Sequence, residues 1–404
     1  MATTCDQPVS TDVTNGKISL KNLVNVKDIN EVDFDKLELL RGETPDDIRD
    51  QCLKLCQQYL AGNWLQQSTD TIKVVRVSGG MTNQLYYCGI VDKSDDNQEV
   101  PQQVAVRLYG PKYFNNKDCD GNERLTDVVI ALMVSQNKLG PKIYGIFDGG
   151  QIQAFYKHRQ FKVEEQKDPK LVTELFQKLA RVHGLNVPIK KCHWSLKEMD
   201  RFYNNFINKT DLKCLVDKFD VFIENDFKTE IDWLKGLIEK TNSPLVFTHN
   251  DFRSSNIMVL EDKNVESGEQ IVLCDFEYSS YGYRGQDFAI ILTEWGRTMN
   301  DMKKPMTLPD DSTLRSIFDI YIKETERLFG KDYCEANRFT SDVIIKEAKI
   351  FALYMQIWFV VFMLGNEEES SELFSNKDFI LQFSEIGYKN YFHLKQQLKD
   401  QNLF

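Results

Sequence analysis

The sequence predicts an α+β chain of two lobes. A small β-rich N-lobe spans residues 44–157 and a larger, mainly helical C-lobe spans 158–404, behind a polar, partly disordered leader of 1–43. Three observations carry this reading. The chain has 404 residues, 42% hydrophobic and 12% aromatic, enough apolar material for two or three lobes with real cores. Hydrophobic residues alternate in short runs between 72 and 156 and take helical spacing beyond 168. One β-rich interruption, at 245–274, breaks the helical half.

Taken in order, residues 1–43 are rich in scattered Asp, Asn and Thr, with a docked segment expected around Leu37–Leu40. Thr44-Pro45-Asp46-Asp47 is a helix start, with a hydroxyl cap, Pro at the first position and acids in the first turn. Ile48, Cys52, Leu55, Cys56, Tyr59 and Leu60 follow at helical spacing. Ile72–Val77, Leu85–Val91 and Val104–Tyr109 read as strands, with Gly79-Gly80 between the first two. Arg124–Lys138 reads as a helix stopped by Leu139-Gly140-Pro141. Ile143–Phe147 and Ile152–Tyr156 are strands around Gly149-Gly150.

In the second half, Asp168-Pro169 opens a helix to about His183, and Ser195–Glu198 has the form of a capping box. Further helices are expected over 227–240, 311–329, 341–364 and 379–399. Strands at Leu245–Thr248, Ile257–Leu260 and Ile271–Cys274 form the interruption.

The charge balance is −11, from 50 Lys+Arg against 61 Asp+Glu. With no long basic run, this argues against nucleic acid and anionic membrane as partners and is compatible with a small cation. Nine cysteines occur without zinc spacing, as expected of reduced thiols in a cytoplasmic protein. Cys52 and Cys56 lie on an apolar helical stripe and read as core. The N-terminus lacks a signal-peptide pattern. The longest apolar stretch, Ile350–Gly365, is too short to span a bilayer and contains Gln356, so it reads as a buried helix without membrane insertion.

The chemistry concentrates in the interruption. His249-Asn250-Asp251 is followed by Asn256, then a short hairpin, then an apolar run ending at Asp275. Phosphoryl transfer needs this spacing: one Asp accepts the proton of an attacking hydroxyl, while an Asn five residues on and a second Asp after a strand hold magnesium on the nucleotide phosphates. Turn chemistry alone accounts for an Asp and an Asn in a loop, but not for both elements in this order. Ser78-Gly79-Gly80-Met81-Thr82-Asn83 joins two strands, and its free N–H groups could cradle phosphates, although a Gly-Gly hairpin is more often only a turn. Arg107 lies within an apolar strand; facing inward it would need a counter-ion or a phosphate. Together these features describe a two-lobe cleft of the kinase kind.

The sequence resembles the choline/ethanolamine kinase family, and most closely its choline kinase branch. The resemblance is carried by SGGMTN (78–83), VAVRLYG (104–110), LGPKIYGIF (139–147), LARVHGLNVP (179–188), VFTHND (246–251) and DFEYSSYGYRGQDFA (275–289), with a weaker match at 391–398. It implies a protein-kinase-like fold, ATP as co-substrate with Mg2+, phosphorylation of choline toward phosphatidylcholine, and a soluble homodimer. Asp251 would be the base and Asn256 and Asp275 the magnesium ligands. Ser78–Asn83 and Arg107 would hold the phosphates, and Gln153 and Phe155 would lie in the hinge beside adenine. Glu277, Tyr278, Glu294 and Trp358 would wall the acceptor pocket, which suits a quaternary ammonium that needs aromatic faces and carboxylates.

The sequence departs from the family at several positions. Asp127, a shorter acid, stands where the family's ion-pair Glu is expected, with Arg107 as its expected partner; Gln153 replaces a hinge Glu. Met299 and Val361 replace pocket aromatics. Arg253 stands where choline kinases usually carry Gln. Turned to the acceptor, Arg253 would repel a cation; turned to the nucleotide, it would stabilise transition-state charge and leave Glu277 and Glu294 free. The nucleotide-facing pose is the expectation, which adds Arg253 to the catalytic set. The alternatives to choline are ethanolamine or another amino alcohol, or a weakly active kinase-like binding protein. Aminoglycoside phosphotransferases share the loop logic but not the Asp275–Gly285 run.

Overall fold

The computed structural model describes residues 18–19, 28–38, 42–78, 82–92, 100–112, 123–262, 267–337, 339–366 and 376–404. Strands β1 (Ile18–Ser19) and β2 (Leu37–Glu38) form a short parallel pair. Of the docked segment expected at Leu37–Leu40, Leu39 and Leu40 lie outside the described residues. The leader docks earlier, through Ile29, Val32 and Phe34, all buried. An apolar triplet spaced in this way seats its side chains together in a core that polar neighbours had obscured. Helix α1 runs Ile48–Leu60, three residues later than the Thr44–Asp47 pattern suggests. Asp47 accepts from Gln51 Nε2 at 2.8 Å instead of capping the backbone.

The N-lobe sheet is antiparallel. Its strands are β3 (Ile72–Val77), β4 (Gln84–Ile90), β5 (Gln103–Leu108), β6 (Ile143–Phe147) and β7 (Gly150–Ala154), ordered β3-β4-β5-β7-β6, with α2 (Glu123–Gln136) between β5 and β6. Side chains alternate across a sheet and paired residues share a face. Val106 pairs with Ile152 and faces Cys52, Cys56 and Trp64 in the lobe's core. Ala105 pairs with Gln153 and Arg107 with Gln151, so those side chains occupy the opposite face, toward the C-lobe. The Cys52 and Cys56 thiols are buried and unbridged, as their stripe requires.

Strand β8 (His158–Gln160) crosses to the C-lobe sheet and pairs with β10. There follow α3 (Pro169–His183), capped by Asp168, then α4 (Ser195–Asn208), α5 (Thr210–Val216), α6 (Asp220–Glu224) and α7 (Phe227–Thr241). The capping box expected at Ser195–Glu198 does not form: Glu198 pairs with Arg201 at 2.6 Å and Ser195 Oγ turns to Gln286 at 3.3 Å. Strands β9 (Leu245–Thr248), β10 (Ile257–Leu260), β11 (Ile271–Leu273) and β12 (Ser280–Tyr283) build the interruption; β9 pairs with β12 and β10 with β11. Helices α8 (Arg284–Glu294), α9 (Asp311–Phe329), α10 (Lys331–Ala336), α11 (Ser341–Gly365) and α12 (Lys377–Asp400) complete the lobe.

Helix α11 is the axis of the C-lobe, packing against α4, α8 and α12. Among the described residues it is the one helix long and apolar enough to cross a membrane, and 72% of its most apolar window is buried inside the molecule. The leader lies against α12 and the 3-10 turn Met299–Lys303. Ile29 N–H donates to Gln382 Oε1 at 2.9 Å and Phe34 N–H to Asn300 Oδ1 at 2.8 Å. Asn300 Nδ2 donates to Asp33 and Asp35, each at 2.7 Å.

Candidate active site

Strand β9 delivers the chain into the loop 249–256, and α8 holds that loop in place. Asp287, in the first turn of α8 and fully buried, accepts from the N–H of His249 at 2.7 Å and of Asn250 at 2.8 Å, and lies 3.1 Å from His183 Nε2. Asn250 takes a left-handed φ of 64°, tolerable for Asn because its side chain bonds locally. Here Nδ2 donates to Tyr278 O and Ser280 Oγ, both at 2.8 Å, and Oδ1 accepts from Thr248 Oγ1 at 2.8 Å. His249 Nε2 bonds Cys274 O at 3.0 Å and its Nδ1 accepts from Asp251 N–H at 3.3 Å, which places its proton on Nε2.

These bonds fix the backbone from His249 to Asp251. Burial raises its pKa above the ordinary carboxylate range, Arg253 opposes this and Asp275 adds to it. A base with a raised pKa holds a transferred proton better at neutral pH. Asn256 Nδ2 donates to Asp251 Oδ2 at 2.7 Å and to Asp251 O at 3.0 Å. The amide nitrogen of Asn256 is therefore spent on Asp251, and its oxygen is turned away from that carboxylate.

The N-lobe meets this loop through charge. Arg107 Nη2 lies 2.5 Å from Asp275 Oδ1 and 3.6 Å from Glu277 Oε2. Burial weakens the cation, but Asp275 and Glu277 outweigh it and hold its pKa above the usual guanidinium value. Arg107 Nε is buried without a partner. Asn83 Nδ2 donates to Glu277 Oε2 at 2.6 Å, and Asn83 Oδ1 accepts from Gly110 N–H at 3.1 Å. Gly110 must be glycine: a Cβ there would lie 2.1 Å from Thr82 O. Burial, with Asp275 beside it, pushes the Glu277 carboxyl up to about 7, against the pull of Arg107 and Asn83.

The cleft between the lobes is lined by Asn83, Arg107, Gln151, Gln153, Cys274, Asp275, Phe276 and Glu277, among others. Gln151 Nε2 donates to Gln153 Oε1 at 2.8 Å, and the Phe155 ring stands edge-on to Tyr87 at 4.6 Å. Ser78 is exposed at the end of β3, Thr82 is buried, and Gly79, Gly80 and Met81 lie outside the described residues.

Asp127 does not carry the expected ion pair with Arg107. It pairs with Lys112 at 2.7 Å and Arg124 at 3.4 Å, and Lys112 also donates to Glu277 O at 2.7 Å. The shorter Asp cannot compete for Arg107 when two carboxylates from the C-lobe reach it first. Lys112 was absent from the sequence reading, which stopped at Gly110.

The expected acceptor wall is divided. Glu277 faces Asn83 and Arg107, on the nucleotide side, and Tyr278 lies under Lys112, whose Nζ is 5.8 Å from its ring centroid. Glu294, the last residue of α8, remains beside the loop: its Oε2 accepts from Ser254 N–H at 2.9 Å. Trp358 is half-buried on α11, stacked on Phe362 at 5.4 Å and edge-on to Phe202 at 6.1 Å. Val361 is fully buried.

The nucleotide-facing pose expected for Arg253 is not observed. Arg253 Nη2 lies 3.0 Å from Glu294 Oε1 and donates to Met299 Sδ at 3.4 Å. Glu294 is the largest influence raising its pKa. The nearest uncommitted carboxylate decides the direction, because Asp275 is already paired with Arg107.

A family model described as choline/ethanolamine kinase matches residues 74–398. The chain belongs to the choline/ethanolamine kinase family. Human choline/ethanolamine kinase is 32% identical over 244 residues, covering 59% of this chain and 59% of that protein. Mouse choline kinase alpha is 26% identical over 365 residues, covering 85% of this chain and 80% of its own length. A probable ethanolamine kinase of Arabidopsis thaliana is 31% identical over 244 residues, 60% of this chain and 61% of that one.

Among solved structures, choline kinase from Cryptosporidium parvum Iowa II gives a TM-score of 0.66 at 17% identity, covering 88% of this chain and 97% of that chain. Plasmodium vivax ethanolamine kinase gives 0.58 at 20%, covering 85% and 89%. At these identities the likeness is one of fold, and that fold is the protein-kinase-like two-lobe α+β architecture. Asp287 and His183 are not among the site residues read from the sequence, although both lie within matched segments, 275–289 and 179–188. The signal was present, since Asp287 closes the 275–289 run, but its role depends on two backbone N–H groups that no motif displays.

The donor set suits magnesium. Asp275 would supply a carboxylate and Asn256 an amide oxygen, both hard ligands, and a cation that keeps most of its waters needs only one or two such groups plus phosphate oxygens. Asp275 stands at a left-handed φ of 63°, which turns its side chain out of the strand line toward Arg107.

Proposed function

We propose that this protein transfers the γ-phosphoryl group of ATP to the hydroxyl of a small amino alcohol. The observation that carries the reading is the run of contacts that joins Asn256 to Asp251, sets Asp251 beside Asp275 and pairs Asp275 with Arg107 of the β-rich lobe. The substrate oxygen attacks the γ-phosphorus in line, the bond to the β,γ-bridging oxygen breaks, and ADP leaves with that electron pair. Asp251 takes the hydroxyl proton as the new P–O bond forms. The unpartnered Nε–H of Arg107 is available to a phosphate oxygen, where a guanidinium stabilises developing charge. Asp275 and Asn256 would hold Mg2+, which supplies charge neutralisation across the phosphates.

Choline is the acceptor that the sequence resemblance indicates. Ethanolamine is a second reading, supported by the Arg253–Glu294 pair that occupies the pocket's carboxylate. The test is purified protein with γ-labelled ATP and magnesium, screened against choline, ethanolamine, their methylated intermediates and no acceptor. Label transferred to one or more of these alcohols is expected. Label released only as inorganic phosphate, or none at all, would remove the reading.

A further inference from the structure

The acceptor's hydroxyl must reach Asp251, so the group it carries lies near Arg253, two residues on. Arg253 presents Nη2 to Glu294 at 3.0 Å and to Met299 Sδ at 3.4 Å, while its Nε is buried without a partner. The other oxygen of Glu294 accepts from Ser254 N–H at 2.9 Å. Glu294, the carboxylate the family resemblance offers to the substrate's nitrogen, is thus held by the chain's own cation.

We infer that Arg253 determines acceptor specificity, disfavouring a quaternary ammonium and favouring an amino alcohol whose nitrogen carries N–H groups. The inference rests on the amino-alcohol reading above and names the class within it.

The reason lies in how the two nitrogens bind. A trimethylammonium donates no hydrogen bond; it is held by aromatic faces and by negative charge that nothing else has claimed. Here Arg253 has claimed the charge, and beside the guanidinium stands the thioether of Met299. The Trp358 ring is turned onto Phe362 and Phe202. A primary ammonium meets the same repulsion from Arg253 but donates directional hydrogen bonds. A carboxylate offers about four lone-pair positions, of which Arg253 and Ser254 occupy two. Two unit cations roughly 6 Å apart at an effective dielectric of about 20 repel by about a hundredfold in affinity. The primary amine recovers much of that through Glu294, and the quaternary one does not.

The experiment is steady-state kinetics on the full chain with Mg·ATP, using choline and ethanolamine as probes and comparing wild type with Arg253→Gln, Arg253→Met and Arg253→Lys. Wild type is expected to favour ethanolamine in kcat/KM. Removing the charge in Arg253→Gln should raise the choline-to-ethanolamine ratio by about 10- to 100-fold, mainly through a lower choline KM. Arg253→Met repeats the neutralisation with an apolar chain of similar length, so one folded neutral variant suffices. Arg253→Lys, which keeps the charge, should stay within about threefold of the wild-type ratio, which separates charge from shape. A ratio that is unchanged or lower in the neutral variants, or a wild type that favours choline, would overturn the inference while leaving the amino-alcohol reading standing. If wild type phosphorylates neither alcohol, the functional reading itself fails and the inference falls with it.

Discussion

Asp287→Asn tests whether α8 positions the catalytic loop. Asp287 is fully buried, and three donors converge on it: His249 N–H at 2.7 Å, Asn250 N–H at 2.8 Å and His183 Nε2 at 3.1 Å. The His183 ring is oriented for this by Tyr321, whose hydroxyl lies 2.8 Å from Nδ1. An amide keeps one acceptor oxygen and brings an NH2 group that meets the remaining N–H donor to donor. One charge-assisted bond worth about 1.5–3 kcal/mol is lost, and a buried donor is left unpaired at about 1–3 kcal/mol. Because the two figures overlap, a net loss of about 3 kcal/mol is expected. That lies below the roughly 5–15 kcal/mol of a folded protein, so the variant folds. At an m-value near 3 kcal/mol/M, the urea midpoint should fall by about 1 M. Asn250 immediately precedes Asp251, so loosening its N–H displaces the base. A displacement near 1 Å costs about 100-fold in rate, and kcat should fall by roughly 10- to 100-fold with little change in the ATP KM. Urea melts and initial rates on one preparation decide the matter. A kcat within twofold of wild type and an unmoved midpoint would refute the positioning argument.

Asp251→Asn should lower kcat by about 100- to 10,000-fold, the usual contribution of a general base, while ATP binding measured by calorimetry persists; substantial residual turnover would count against Asp251 as the base. Asp275→Ala should abolish magnesium activation, and higher magnesium should not restore it, because the change removes the charged member of the proposed ligand pair and leaves Arg107 without its 2.5 Å partner. Asn256→Ala, which loses only a dipole, should be milder, and a magnesium titration of initial rates with the reverse order would be incompatible with the proposed ligands. Glu277 titrates near 7 in the folded chain against 4.5 ordinarily. Between those values the folded state holds a proton that the unfolded chain has released, so this group's contribution to stability falls as pH rises, by on the order of 3 kcal/mol. Glu277→Gln should flatten that dependence, and urea midpoints at pH 5 and pH 8 that move equally in both proteins would contradict the buried-carboxyl argument.

Much of the fold was legible in the chain because it is local. The alternation over 72–77, 84–90 and 103–108 and the helical period over 169–183 and 341–365 are short-range properties, and the observed elements match them within a residue or two. The loop from His249 to Asn256 and the later Asp275 were readable for the same reason: the reaction demands a spacing, and spacing is written in the sequence. The direction of Arg107 was left open by the sequence and follows from the sheet: with Val104 and Val106 on the core side, Arg107 stands on the face toward the C-lobe.

The chain alone did not determine which charges meet. Arg107 had three acidic candidates and took Asp275 and Glu277, leaving Asp127 to Lys112. Glu277 was expected beside the acceptor and turned to the nucleotide side, drawn by Asn83 from a strand connection 194 residues earlier. Ser195 and Glu198 had the form of a cap, but Ser195 turns across the fold to Gln286, while Glu198 pairs one turn along its own helix with Arg201. Arg253 turned toward Glu294 and Met299 because α8 and the Met299–Lys303 turn bring them beside the loop, and Asp35 of the docked leader holds that turn through Met299 N–H at 3.0 Å. Periodicity and spacing act over a few residues and survive any arrangement of the rest. The direction of a long charged side chain depends on the closest opposite charge in space, with an energy that falls as distance and dielectric grow, and only the assembled lobes set that distance.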